Sequence, residues 1–204
     1  MKELIIYILI SIAAGNYEYN SHEKNEEIAT TNYEQNFYEY EKEQVPIRQS
    51  LGALHWNEAD EIFPRYETAK IVDVLTGKTF NVKRTFGRNH ADVEPLTIED
   101  TKIIRSLWGG DSWERRAIVV VIGDYKIAAS MNGYAHAGLD RYPALATVNN
   151  RSGGFGRGTN LDMVKNNGAD GHFCIHFYGS RTHGSGQINA EHQNAVREAA
   201  QFLD

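Results

Sequence analysis

Hydrophobic and polar positions divide this chain of 204 residues unevenly. From Leu4 to Ala14 nearly every residue is apolar, whereas from residue 16 to residue 50 aliphatics almost vanish and neither a two-residue nor a 3.6-residue period persists. Ordered patterns begin near Leu51. Two β-branched runs, Ala69–Leu75 and Thr79–Thr85, flank "TGK" and predict a hairpin. "PLTIEDTKIIRSLWGG" predicts a helix. Thr97 is its N-cap, Asp100 stands at the capping-box position, Ile103, Ile104 and Leu107 form one face, and Gly109-Gly110 is the stop. "RRAIVVVIGDYKIAASMNG" predicts a second hairpin that turns at Gly123-Asp124. "HFCIHFY" predicts a strand, and "NAEHQNAVREAAQFLD" an amphipathic C-terminal helix on which His192 and Gln193 fall on a solvated face. Leu139 to Asp170 reads as a long loop with one weak helical segment, Thr159 to Lys165. Strands outnumber helices, so the predicted fold class is α+β, a mostly antiparallel sheet with two or three helices.

Composition sharpens the division. Residues 1–15 combine Lys2, the apolar run and small residues at Ala13, Ala14 and Gly15, the three-part shape of a secretory signal peptide. The run is shorter than the roughly 20 apolar residues a spanning helix needs, so no stable membrane span is expected. Residues 16–50 read as an acidic linker rich in Tyr, Asn and Glu, and residues 51–204 as an α+β catalytic domain. The expected location is secreted or cell-wall associated. A net charge of −6 with no dense basic cluster argues against a nucleic-acid partner. A single cysteine excludes an internal disulfide framework and any multi-cysteine zinc cluster. "GGFGRG" lacks the lysine of a phosphate-binding loop and follows no clear strand.

The candidate chemistry lies around that cysteine. Alternation along a strand puts His172, Cys174 and His176 on one face and Phe173, Ile175 and Phe177 on the other, the core face. A thiol becomes a nucleophile when a neighbour lowers its pKa from about 8.5 or takes its proton. Same-face strand neighbours sit roughly 6–7 Å apart at the backbone, loose for a direct Cys–His bond. The better base comes from another element, and His136, in "SMNGYAHAG", can stand at the rim of the same sheet. Asn132 lies in that segment, and His183 on a loop just past the strand, so both can reach the cleft with His176 as groups that shape it or bind substrate.

"H…GHFCIHF" resembles the active-site signature of the L,D-transpeptidases of bacterial cell walls. That signature is an upstream His, usually followed by Gly, and a Ser-His-Gly-Cys-Ile/Val-Arg run. His136 matches the upstream histidine, and His172, Cys174 and Ile175 match the run. Gly171 replaces Ser/Thr, Phe173 replaces Gly, His176 stands in place of Arg, and Ala137 separates His136 from Gly138. The resemblance covers only these two motifs. A longer string, "NHADVEP…W.RR…ASMNG…GHFCIHF…THG…HQ", is similar over most of residues 56–200 to an uncharacterised secreted domain found beside wall-binding modules. The transpeptidase resemblance implies peptidoglycan as partner, no cofactor, and Cys174, His136 and His172 as the catalytic set. Backbone N–H groups near Cys174 would form an oxyanion hole, and Arg115 or Arg116 would bind a substrate carboxylate.

Two other readings are open. His90, Asp92, His172 and His176 offer imidazole and carboxylate ligands for a zinc-dependent wall peptidase, although no strong zinc motif is present and "HADVEP" reads equally as a turn. A non-catalytic wall- or glycan-binding module would instead use Trp56, Trp108 or Trp113 to stack on sugars.

Overall fold

The computed structural model describes residues 49–203. The signal-like segment and all but the last two residues of the acidic linker lie outside the described residues. Gln49–Ser50, two residues ahead of the predicted domain boundary, form a strand, β1, parallel to Tyr125 and Lys126.

Six strands close into an antiparallel barrel. They are β2 (Thr68–Asp73), β3 (Thr79–Phe86), β4 (Ala91–Pro95), β5 (Arg115–Ile122), β6 (Tyr125–Asn132) and β10 (Gly171–His176). The order is β6-β5-β2-β3-β4-β10, and β10 pairs back onto β6. Every neighbouring pair is antiparallel. Closure leaves no free edge among these six strands. A short strand β7 (His136–Ala137) adds to the other end of β10. Strands β8 (Thr147–Arg151) and β9 (Gly156–Thr159) make a separate two-stranded hairpin.

Period-2 alternation builds the core. Ile71, Phe80, Val82, Val93, Ile118, Val120, Ile127, Met131, Phe173 and Ile175 are all buried in one apolar cluster. Both predicted hairpins form, and Gly123 makes the second turn at a φ of 52°. Helix α1 (Trp56–Ile62) was not legible in the pattern; it puts Trp56, Ala59 and Phe63 against the same cluster. Helix α3 (Ala190–Leu203) lays Ala195 and Ala199 on Ala117 and Ala128, on the outer face of β5 and β6.

Helix α2 (Ile98–Trp108) starts and stops as its sequence predicts. Thr97 Oγ1 accepts from Asp100 N, the Asp100 carboxylate accepts from Thr97 N, and Gly109 ends the helix at a φ of 70°. Asp100 also accepts from Asn81 N at 2.7 Å and so ties the helix to β3. Thr97→Ala is expected to cost about 1 kcal/mol. Asp100→Ala removes the cap and orphans a strand N–H, and should cost about 2–3 kcal/mol. Urea unfolding of both variants checks the order.

The segment from Thr159 to Lys165 is not helical. Side chains replace helix bonds there. Asn160 Nδ2 donates to the carbonyls of Leu139, Tyr142 and Pro143, and Asp162 accepts from Gly171 N at 2.7 Å. "ADVEP", read equally as a turn, is strand β4.

Candidate functional site

Strand register assembles the site on the outer face of the barrel. Cys174 pairs opposite Asp92, His176 opposite Ser130, and His172 opposite His136. Directly opposed residues share a face. Asn132, two residues beyond Ser130, joins them. The predicted face of His172, Cys174 and His176 forms, with Phe173, Ile175 and Phe177 buried behind it. A pocket of about 170 Å³ opens over Cys174, walled by Trp113, Arg115, Phe155, Thr182, His183 and His192.

The His136 imidazole meets the thiol, with Nε2 at 3.7 Å from Sγ. Its Nδ1 lies 2.9 Å from the Tyr134 carbonyl, which can only accept, so Nδ1 carries the proton and the lone pair of Nε2 faces sulfur. Trp113 and Phe155 pack on the ring, with centroids at 5.1 and 5.2 Å. Asn132 Oδ1 accepts from Tyr134 N, which leaves its amide N–H₂ on the pocket wall beside Cys174. Burial pushes the Cys174 thiol well above its ordinary value, and the Asp92 charge pushes the same way against Asn132 and Arg115. Burial lowers the His136 pKa. This corrects the expectation of a neighbour-lowered thiol. The pair rests as neutral thiol and neutral imidazole, with the base aimed at the acid.

A second constellation centres on Asp92. His183 Nε2 lies 2.9 Å from Asp92 Oδ1, His90 Nε2 lies 3.2 Å from the same oxygen, and His172 Nε2 lies 3.8 Å from Oδ2. Burial opposes ionisation of Asp92, but the hydrogen bond from His183 and the neighbouring imidazoles of His90 and His172 outweigh it and hold the carboxyl well below its usual range. The Asp92 hydrogen bond raises the His183 pKa. His90 Nδ1 donates to the Arg181 carbonyl at 2.6 Å, and His172 Nδ1 faces the Leu161 carbonyl at 3.4 Å. Burial lowers the His172 pKa to about 4. The Nε2 atoms of His90 and His172 are buried without a hydrogen-bond partner.

His176 stacks between His90, at a centroid distance of 4.2 Å, and His192, at 3.8 Å. His192 is 3% exposed, 2.9 Å from Ser130 Oγ, and lines the pocket, so it does not occupy the solvated face predicted for it. Gln193 is buried too, accepting from Gly179 N and donating to the Phe177 carbonyl. Burial, with Arg115 and His90 nearby, lowers the His192 pKa to about 3. The unfolded chain, near 6.5, therefore binds this proton first. Stability from neutral His192 is complete above about pH 6.5 and is lost as pH falls toward 3. Across that window His192→Gln should flatten the pH dependence of urea unfolding by up to about 1.4 kcal/mol per pH unit.

Alternation separates the two arginines. Arg115 lines the pocket, ion-paired at 3.3 Å with Glu191. Arg116 points away, donating to Asp73 through Nε at 2.8 Å and a terminal nitrogen at 3.0 Å, and is not available to a substrate in the pocket. The indole N–H groups of Trp56 and Trp108 donate to the carbonyls of Arg88 and Glu114 in buried positions. Trp113, 44% exposed, is the one of the three that reaches the pocket wall. "GGFGRG" spans the turn of the β8–β9 hairpin.

The proposed zinc ligands His90, Asp92 and His172 come together, but His176 does not join them. Two other sets bring one ligand atom per residue within 4.8 Å of one another: His136, His172, Cys174 and His183, and His90, Asp92, Cys174 and His183. Among the described residues no helix is long and apolar enough to cross a membrane. Comparison with family models, curated proteins and solved structures finds no match for the chain. What fold and site define is an antiparallel barrel carrying a histidine-rich, cysteine-centred pocket on its outer face.

Proposed function

We propose that the domain is a thiol-dependent acyl-transfer enzyme of the bacterial cell wall, acting on peptidoglycan stem peptides. The carrying observation is the alignment of Cys174 Sγ, His136 Nε2 and, behind His136, the Tyr134 carbonyl. This is a nucleophile, a base and an orienting group in line. The motif resemblance and the signal-like pattern of residues 1–15 support the substrate and an extracellular location.

In this reading Sγ attacks the carbonyl of a stem-peptide bond while His136 Nε2 takes the thiol proton. Asn132 lines the pocket with Cys174, and its amide N–H₂ is the donor assigned to the oxygen that becomes negative. His136 passes the proton to the departing amine, the C–N bond breaks, and a thioester on Cys174 remains. An acceptor amine or water then attacks the thioester, gives a proton to His136, and the thiol is restored. Arg115 is placed for a substrate carboxylate once it releases Glu191. His172 packs on the His136 ring at a centroid distance of 4.4 Å and positions it.

The test is digestion of purified wall and synthetic stem peptides, read by mass spectrometry in a buffer with chelator. Release of the terminal D-residue is expected, with the shortened stem peptide ending as the free acid or as a cross-linked product. An unchanged substrate over a wide range of pH, stem peptides and acceptors would sink the reading.

A further inference from the structure

The thiol reading leaves a buried lone pair of a positioning residue unexplained. His172 is 2% exposed, its Nδ1 faces a main-chain carbonyl, and its Nε2 has no hydrogen-bond partner. His136 is built alike, with Nδ1 on a carbonyl and Nε2 turned inward. Anchoring one ring nitrogen on a carbonyl fixes the tautomer and presents the other as a bare lone pair, as metal-binding histidines do. His90 repeats the Nδ1 anchor, and its Nε2, buried without a hydrogen-bond partner, lies 3.2 Å from Asp92 Oδ1. Acceptors that converge in this way in a dry pocket repel unless positive charge lies among them.

We infer that the pocket floor is a binding site for a zinc-class transition metal ion, held by Cys174 Sγ, His136 Nε2, His172 Nε2 and one ring nitrogen of His183. These four bring their ligand atoms within 4.8 Å of one another. One thiolate and three imidazoles suit a soft, tetrahedral late first-row ion rather than calcium or magnesium. Asp92 stands outside the set, bonded to His183, as the carboxylate that orients a ligand. Binding forms the metal–sulfur bond and releases the thiol proton to solvent.

Four protein ligands fill a tetrahedral ion and leave no position for substrate. The ion therefore ties up both Cys174 and His136, and the metal-loaded protein is a closed form of the thiol site. The inference stands on the ligand geometry and does not require the acyl-transfer reading. The two fail separately, because metal binding has its own optical signal and acyl transfer is assayed with chelator present.

Cobalt(II) titration of the full chain, followed by absorbance, tests it. One equivalent should bind, with the intense visible bands of a tetrahedral ion and a near-ultraviolet sulfur-to-cobalt band. Cys174→Ser should lose the near-ultraviolet band. His183→Ala, at a side chain 45% exposed, should keep the fold by circular dichroism and weaken binding by at least about 10-fold. In wild type, zinc should protect Cys174 from alkylation, and chelator should remove the protection. No cobalt bands, a near-ultraviolet band surviving in Cys174→Ser, unchanged affinity in His183→Ala, or no zinc protection would each overturn the site.

Discussion

Replacing Cys174 by alanine is expected to lower acyl transfer by roughly four orders of magnitude or more, while the protein stays folded. The side chain is small, its sulfur contacts His136, and the apolar core lies behind the strand, so the deletion costs chemistry and little packing. His136→Ala should lower the rate by roughly 100- to 10,000-fold. The smaller loss follows from the resting state: burial keeps the thiol protonated, so without His136 water must take its proton. The double variant should be little worse than Cys174→Ala, because the two side chains act as one unit. Full activity in Cys174→Ala, measured by release of the terminal D-residue, would remove the thiol from the mechanism.

Gly171→Ala is expected to be among the most damaging single methyl groups in the domain, with Gly87→Ala beside it. Gly171 adopts a φ of 99°, and a Cβ there would lie 2.1 Å from the His136 carbonyl oxygen and 2.7 Å from Gly138 N. Both obstacles are main chain, so no side chain can swing aside. The left-handed backbone alone costs about 1–3 kcal/mol. With the clash, the loss should reach about 4 kcal/mol, the range reserved for named structural faults. The pairing of Gly171 with Ala137 would open, and His136 would leave Cys174. Gly184→Ala is the control: a Cβ there meets nothing within 4 Å, and the change should stay within about 0.5 kcal/mol. Chemical denaturation compares the two. The same geometry explains why residue 171 is glycine rather than a residue that carries a side chain.

Local patterns carried much of the fold. Both hairpins, the Thr97 cap and the split of "HFCIHF" into a core face and a polar face follow from turn residues, capping chemistry and alternation. The His136–Cys174 contact was reachable too, since one strand cannot bring its own neighbours into bonding distance. The rest depended on which elements meet. "ADVEP" is wholly buried yet carries two acids and a proline, so no alternation marks it as the strand that delivers Asp92. His192 is a polar residue on an amphipathic helix, and only packing against β6 and β10 makes its face an inner one. Arg115 and Arg116 are distinguished by strand phase, with Arg116 on the face where Asp73 meets it. Closure of β10 onto β6, which sets Ser130 beside His176, spans a long stretch of chain and leaves no local trace.

The most direct test of the account is the intact mass of the protein after brief mixing with stem-peptide substrate and acid quench. A thioester should appear as a mass increase equal to the acyl fragment, mapped to Cys174, released by hydroxylamine, and absent from Cys174→Ala. A turnover-competent protein that shows no adduct, or one that maps elsewhere, would contradict it.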